Sequence, residues 1–243
     1  MASQHQRPQP PPTPPAPEPS TERPPPPFFE ARRELSRRGV PWPPEGSDER
    51  WQALQPFERN LLRNPNPEGV NISEPAPPCL PQTPCKPLDS AGIFKGWQVS
   101  VEPVPSKNKG APSARYSWRV KQQRVDLLAE GLWEALLDLH QPNITVMDWY
   151  ENSNWALSTY ELHVQLLGSD PAVVITEFHY VAPTKEEDDR ESKNWRHVSH
   201  VFADYGPGVR YVHFLHKTME ADTPAGLLRT RATDSSVSVQ LWD

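Results

Sequence analysis

Of the 32 prolines in this 243-residue chain, 24 precede Asp89. Proline has no backbone N–H and a locked φ, so it cannot donate to a β-ladder or sit inside a helix without breaking a hydrogen bond. The front of the chain is therefore barred from regular sheet. Any extended core must come from the roughly 150 residues that follow, a length that buries a full single-domain core. Residues 1 to about 27, rich in Pro, Gln, Thr and Glu, bury too little apolar surface to offset ordering entropy and read as disordered with polyproline II character. Neither Arg7 nor Arg23 stands at the offset from a PxxP pair that SH3 docking uses, and PPxY does not occur. The reading for this tail is a spacer.

"FFEARRELSRR", residues 28–38, carries helix formers and meets a stop at Gly39-Val40-Pro41, which predicts a short helix with Arg32, Arg33, Arg37 and Arg38 on a solvated face. From Gly96 the apolar period becomes two. "GWQVSVE", "RYSWRV", "NITVMDWYE", "STYELHVQLLG", "AVVITEFHYVA", "WRHVSHVFADY", "GVRYVHFLHKT" and "SVSVQLWD" each read as a strand rich in β-branched and aromatic residues. Between the second and third, "DLLAEGLWEALLDLH" (126–140) places Leu132, Trp133, Leu136 and Leu137 on one helical face, against which Gly131 argues. The expected architecture is all-β: an antiparallel β-sandwich with a short helix, preceded by a disordered proline-rich tail. The division is 1–56, proline-rich and largely disordered, and 57–243, the sandwich.

A net charge of −6 and a pI near 5.8 exclude a dedicated nucleic-acid or anionic-membrane surface, which needs clustered Lys and Arg. No apolar run approaches the ~20 residues of a spanning helix and the start lacks a signal-peptide core, so the expected location is cytoplasmic. Cys79 and Cys85 then read as reduced thiols, and the sequons at Asn71 and Asn143 as unglycosylated. His197 and His200, like His213 and His216, repeat an i, i+3 spacing that would chelate a metal on a helix. In a strand, residues three apart face opposite sides, so neither metal nor cofactor is expected. No GxSxG, Cys–His arrangement or glycine-rich phosphate loop occurs, and the chain reads as a non-enzymatic binding protein.

A sandwich binds with the loops at its ends. Trp97, Trp118 and Trp149 lie in strand-like runs and read as core or sheet packing. Trp155 and Trp195 lie at strand entrances or loops, where an indole can stack on a sugar or anchor a peptide. The stretch 217–240 offers small and polar residues where a loop can sit: Thr223, Pro224 and Ala225, flanked by Lys217, Arg229 and Arg231. That surface, small and shallow, suits a protein better than a glycan.

Three stretches carry a family resemblance: "FERNLLRNPNPEG" (57–69), "QQRVDLLAEGLWEALLDLHQPNITVMDWYE" (122–151) and "SHVFADYGPGVRYVHFLHK" (199–217). Together they resemble the F-box-associated domain. The resemblance implies a galactose-binding-like jelly-roll sandwich. It further implies a substrate receptor of a Skp1–cullin ubiquitin ligase, acting in glycoprotein ubiquitination and ER-associated degradation; a cell-surface receptor is the third reading. Two departures bear on this. The F-box that grips Skp1 belongs before "RNLLRNP", where Pro41, Pro43 and Pro44 leave at most a vestige of it. Glycan-binding members carry an aromatic pair followed by Lys before the last strand, and the matching positions here are Thr223, Pro224 and Ala225. None of these stacks on a sugar, so the high-mannose role is not carried over, and a protein partner is expected instead.

Overall fold

The computed structural model describes residues 28–43, 47–67, 94–104, 115–151, 159–183, 195–223 and 226–241. Within them, alternation of apolar and polar side chains has produced nine strands: β1 (Gln98–Pro103), β2 (Arg115–Asp126), β3 (Asn143–Glu151), β4 (Tyr160–Leu167), β5 (Val174–Val181), β6 (Trp195–Phe202), β7 (Tyr211–Thr223), β8 (Gly226–Arg229) and β9 (Ala232–Gln240). The larger sheet has the order β1-β2-β7-β4-β5 with β8 added to β7; the smaller is β6-β3-β9. All pairs are antiparallel. Each of the eight runs read as strands is one, and the two-sheet antiparallel sandwich is the architecture. Residues 1–27, 68–93 and the sequon at Asn71 lie outside the described residues, as do Cys79 and Cys85.

The inner faces meet in one apolar core. Tyr160, Leu162, Val164 and Leu166 of β4 and Val212 and Phe214 of β7 oppose Ile144 and Val146 of β3 and Val237 and Val239 of β9, all fully buried. A polar cluster is embedded beside them. Asp148, 0% exposed, accepts hydrogen bonds from the Tyr160 hydroxyl, from His216 Nδ1 at 2.6 Å and from Ser235 Oγ at 2.8 Å. Tyr160 and His216 belong to the larger sheet, Asp148 and Ser235 to the smaller, so the carboxylate ties the sheets together. A bulge makes this possible. Between Met147 and Trp149 the β3–β9 register slips, with Asp234 at φ +51°, and the extra residue turns Ser235 inward. Nearby, Arg119 and Glu220 form a buried ion pair, Nε to Oε1 2.8 Å and Nη2 to Oε2 3.0 Å.

Two segments outside the sheets complete the sandwich. Residues 57–66 run beside β9: Glu58 N donates to Val239 O (3.0 Å) and Leu61 N to Val237 O (2.7 Å). Asn60 accepts from Leu62 N and Val237 N and donates to Ser235 O. Gln123 of β2 and the Arg63 backbone exchange two hydrogen bonds, and Trp97 Nε1 donates to Asn64 O. The buried Trp97 ring stacks on His216 with centroids 5.2 Å apart.

The chain ahead of residue 57 also enters the core. Helix α1 (Phe28–Arg37) buries Ala31 and Leu35, and α2 (Ser47–Leu54) contributes Trp51. Phe28, Trp42, Trp51, Phe57 and Trp133 form an aromatic cluster with centroid spacings of 5.0–6.1 Å. Trp133 Nε1 donates to Pro41 O at 2.9 Å. Arg32, Arg33, Arg37 and Arg38 are exposed, as a solvated face predicts. Arg32 lies over the Trp42 ring, and Arg37 and Arg38 bind Glu34.

The helix expected over 126–140 is corrected. β2 continues to Asp126, a turn follows, and helical backbone begins only at Glu134, ending as a π-helical turn over Leu136–His140. Gly131 decides this with φ +103°, where a Cβ would also lie 3.2 Å from Leu54. The apolar face survives, since Leu132, Leu136 and Leu137 are buried.

Removing the Asp148 carboxylate strands three buried donors. Asp148→Ala is expected to cost about 3–5 kcal/mol in urea unfolding. Lys217→Ala, breaking the exposed Lys217–Glu102 pair (3.1 Å), costs less than about 1 kcal/mol. The phenols of Tyr150, Tyr160 and Tyr205 are held above their ordinary range, chiefly by burial. A raised folded-state value means the stabilisation is intact below the unfolded phenol's pKa of about 10 and lost as pH rises past it. Ultraviolet titration should show these phenols ionising above pH ~10 together with loss of the near-ultraviolet dichroism of the fold.

Candidate functional site

One end of the sandwich gathers the residue types that anchor protein contacts. β3 ends at Glu151, β6 begins at Trp195, β7 ends at Thr223 and β9 begins at Ala232; the register sets Glu151 beside Trp195 and Tyr150 beside Ala232. The Glu151 carboxylate is nearly inaccessible (2% exposed). It accepts from Arg231 N (2.9 Å), Nε (3.1 Å) and Nη2 (3.0 Å), while Glu151 N donates to Arg231 O. The guanidinium so fixed lies 5.1 Å over the half-buried Trp195 ring. Below it, Tyr150 stacks on Tyr160 (4.2 Å, 6°), and its hydroxyl meets that of Tyr180 at 2.9 Å. Trp195 and Arg231 thus mark this end, while Tyr150, 4% exposed, turns into the sandwich with the half-buried Tyr180.

The residues singled out from sequence divide as follows. Trp195 and Thr223 belong to this end; Trp155, Pro224 and Ala225 lie outside the described residues. The loop expected within 217–240 is mostly sheet: β7 runs through Thr223 and pairs with β8 by Thr223↔Gly226. Arg229 sits in β8 opposite Glu220. Lys217 is not with them; it stands on the outer face of the larger sheet, bound to Glu102. Glu151, Tyr150 and Tyr180 escaped sequence reasoning, because the pairing of Arg231 with Glu151 joins residues 80 apart. A Glu in the last position of an apolar strand was the available signal.

The histidine pairs split as strand geometry dictates. His200 stacks on Phe178 inside the sandwich (4.2 Å) and His197 tilts against Trp149 outside (4.6 Å). Desolvation lowers the pKa of both. His213 meets Gln122 on the outer face, whereas His216 binds Asp148 within. Among the described residues no three His, Cys, Asp or Glu side chains are grouped to hold a metal, and no helix is long and apolar enough to cross a membrane.

Glu151→Gln strips the counter-charge from a partly buried guanidinium. The expected loss is about 1–3 kcal/mol in denaturant unfolding, against less than about 1 kcal/mol for Trp195→Ala, which removes only a half-exposed cation–π contact.

The F-box associated region family matches residues 52–239. F-box only protein 50 of Homo sapiens is 53% identical over 194 residues, 79% of this chain and 66% of that protein. F-box only protein 50 of Danio rerio is 40% identical over 85% of this chain and 92% of that protein; F-box only protein 2 of Bos taurus is 36% identical over 81% and 65%. The chain thus spans just under two thirds of the human relative's length. Among solved structures, TmCBM61 in complex with beta-1,4-galactotriose is similar with a TM-score of 0.35 and 14% identity, over 75% of this chain and 99% of that one. A family match over most of the described sandwich, with relatives at 40–53% identity, shows that the chain belongs to the F-box associated family.

Proposed function

We propose that the chain is a non-catalytic, cytoplasmic protein-binding module that takes its partner on the end marked by Trp195, Arg231 and the half-buried Tyr180. The observation that carries this reading is the Trp195–Arg231–Glu151 arrangement. Trp, Tyr and Arg are enriched among the residues that dominate binding energy at interfaces. Here the guanidinium is held in place before any partner arrives, which lowers the ordering cost of association. Full-length chain coupled to beads and exposed to cytosolic extract, with quantitative mass spectrometry, provides the test. A set of proteins retained by the unmodified chain and by Lys217→Ala, but depleted at least tenfold by Trp195→Ala combined with Tyr180→Ala, is expected. If no protein distinguishes these baits, the reading fails.

Kinship with F-box only proteins favours a second reading, a substrate receptor of a Skp1–cullin ubiquitin ligase. Against it stands the use of α1 and α2, whose apolar residues Ala31, Leu35 and Trp51 are buried against the sandwich and unavailable to a second protein. Size-exclusion chromatography of the chain with purified Skp1 is expected to show separate elution; co-elution would establish the ligase reading instead. On a glycan array high-mannose oligosaccharides are expected not to bind, since Thr223, Pro224 and Ala225 offer no aromatic ring for a sugar's C–H face.

A further inference from the structure

At the end of the sandwich opposite Trp195, where β3 begins, lies a cleft of about 340 Å³ lined by Arg38, His140, Asn143, Asp204 and Gln240 among others. That volume falls in the range of small-molecule sites, about 300–1,000 Å³. The walls come from four separate parts of the chain and are tied to one another. Gln141, in a left-handed conformation at φ +51°, accepts from Gly206 N at 2.8 Å. The Tyr205 hydroxyl donates to Pro142 O at 3.0 Å, His140 Nε2 donates to Leu241 O at 2.8 Å, and Thr145 Oγ1 donates to Gln240 Oε1 at 2.7 Å. Beneath them Arg210 grips Asp138 with both terminal nitrogens, and Gly208 N donates to the same carboxylate. The cleft is therefore preformed rather than a gap between mobile loops.

Two charges of opposite sign face this space without being spent on each other. Arg38 Nε is held by Glu34 Oε1 at 2.8 Å, which orients the guanidinium, and its terminal nitrogens have no hydrogen bond among the described residues. Asp204, set at φ +48°, likewise has no hydrogen bond or ion pair among the described residues. His140, with Nε2 committed as a donor, keeps Nδ1 as an acceptor in the neutral ring.

The lining excludes several ligand classes. No Phe, Tyr or Trp side chain contributes to it, so a sugar finds no broad apolar ring face to stack on. A phosphate would be drawn to Arg38 but repelled by Asp204. An apolar molecule would leave amides and charges desolvated and unpaired. A molecule bearing both a carboxylate and an ammonium matches both poles.

We propose that this cleft binds a small zwitterion, a free amino acid or dipeptide, with the carboxylate on Arg38 and the ammonium on Asp204. The site is separate from the Trp195 end and does not depend on that end's partner.

Isothermal titration calorimetry of the full chain tests this with glutamine, glycyl-glutamine, inorganic phosphate and methyl α-mannoside as probes. Saturable binding of at least one zwitterion is expected, with no heat from phosphate or mannoside. Arg38→Gln and Asp204→Asn should each weaken that binding at least tenfold, whereas Trp195→Ala should leave it unchanged. Both substituted side chains are at the surface, and melting curves confirm folding; should Arg38→Gln melt early, Asp204→Asn alone decides. The proposal is overturned if neither zwitterion binds saturably, if phosphate or mannoside binds as tightly, or if affinity is the same in Asp204→Asn as in the unmodified chain.

Discussion

The carboxylate of Asp148, shut between two sheets, is the constraint on which the sandwich depends. An isolated charge there would cost several kcal/mol in lost hydration. It is tolerated because Tyr160 and His216 donate from one sheet and Ser235 from the other. Satisfying all three donors at once fixes the relative position of the sheets more narrowly than apolar contacts do, since a slip of one residue would turn the partners to the wrong face. The effect spreads outward. His216 carries Trp97 on its ring, Trp97 holds Asn64, and through Asn64 the segment 57–66 is aligned beside β9.

The second organising element is the aromatic cap. α1 and α2 are short, and helices of this length are marginal alone in water. They exist because Phe28, Trp42 and Trp51 close over Trp133 and Phe57. Residues 28–54 therefore act as part of the sandwich's own core, although composition set them with the proline-rich front. Pro41 takes part directly, its carbonyl accepting the Trp133 indole N–H.

The two ends of the molecule differ in kind. One presents aromatic rings and a fixed guanidinium, suited to a broad partner; the other encloses a polar cleft suited to a small one. Alternation exposed the strands because β-branched and aromatic residues recur at every second position, as in "STYELHVQLLG". It marked only "RYSWRV" of the longer strand "RYSWRVKQQRVD", where Arg119, Lys121 and Gln123 occupy inward positions and are buried. The same blindness hid Asp148, a charged residue between the inward Val146 and Tyr150. Periodicity identifies a face by its hydrophobicity, and a buried charge reads as a turn of the strand toward water unless its partners are known.

Local chemistry determined most of the fold: proline confined regular sheet to the back of the chain, period-two patterning marked eight strands, and strand geometry separated the paired histidines. Tertiary structure alone decided which charges meet. Arg231 finds Glu151 across 80 residues, Arg119 finds Glu220 across 101, and Gly131 takes φ +103° in a turn packed against Leu54, where a Cβ would lie 3.2 Å away. These outcomes follow from contacts distant in sequence, whose energies depend on burial and separation in space, and neither quantity exists until the two sheets have closed.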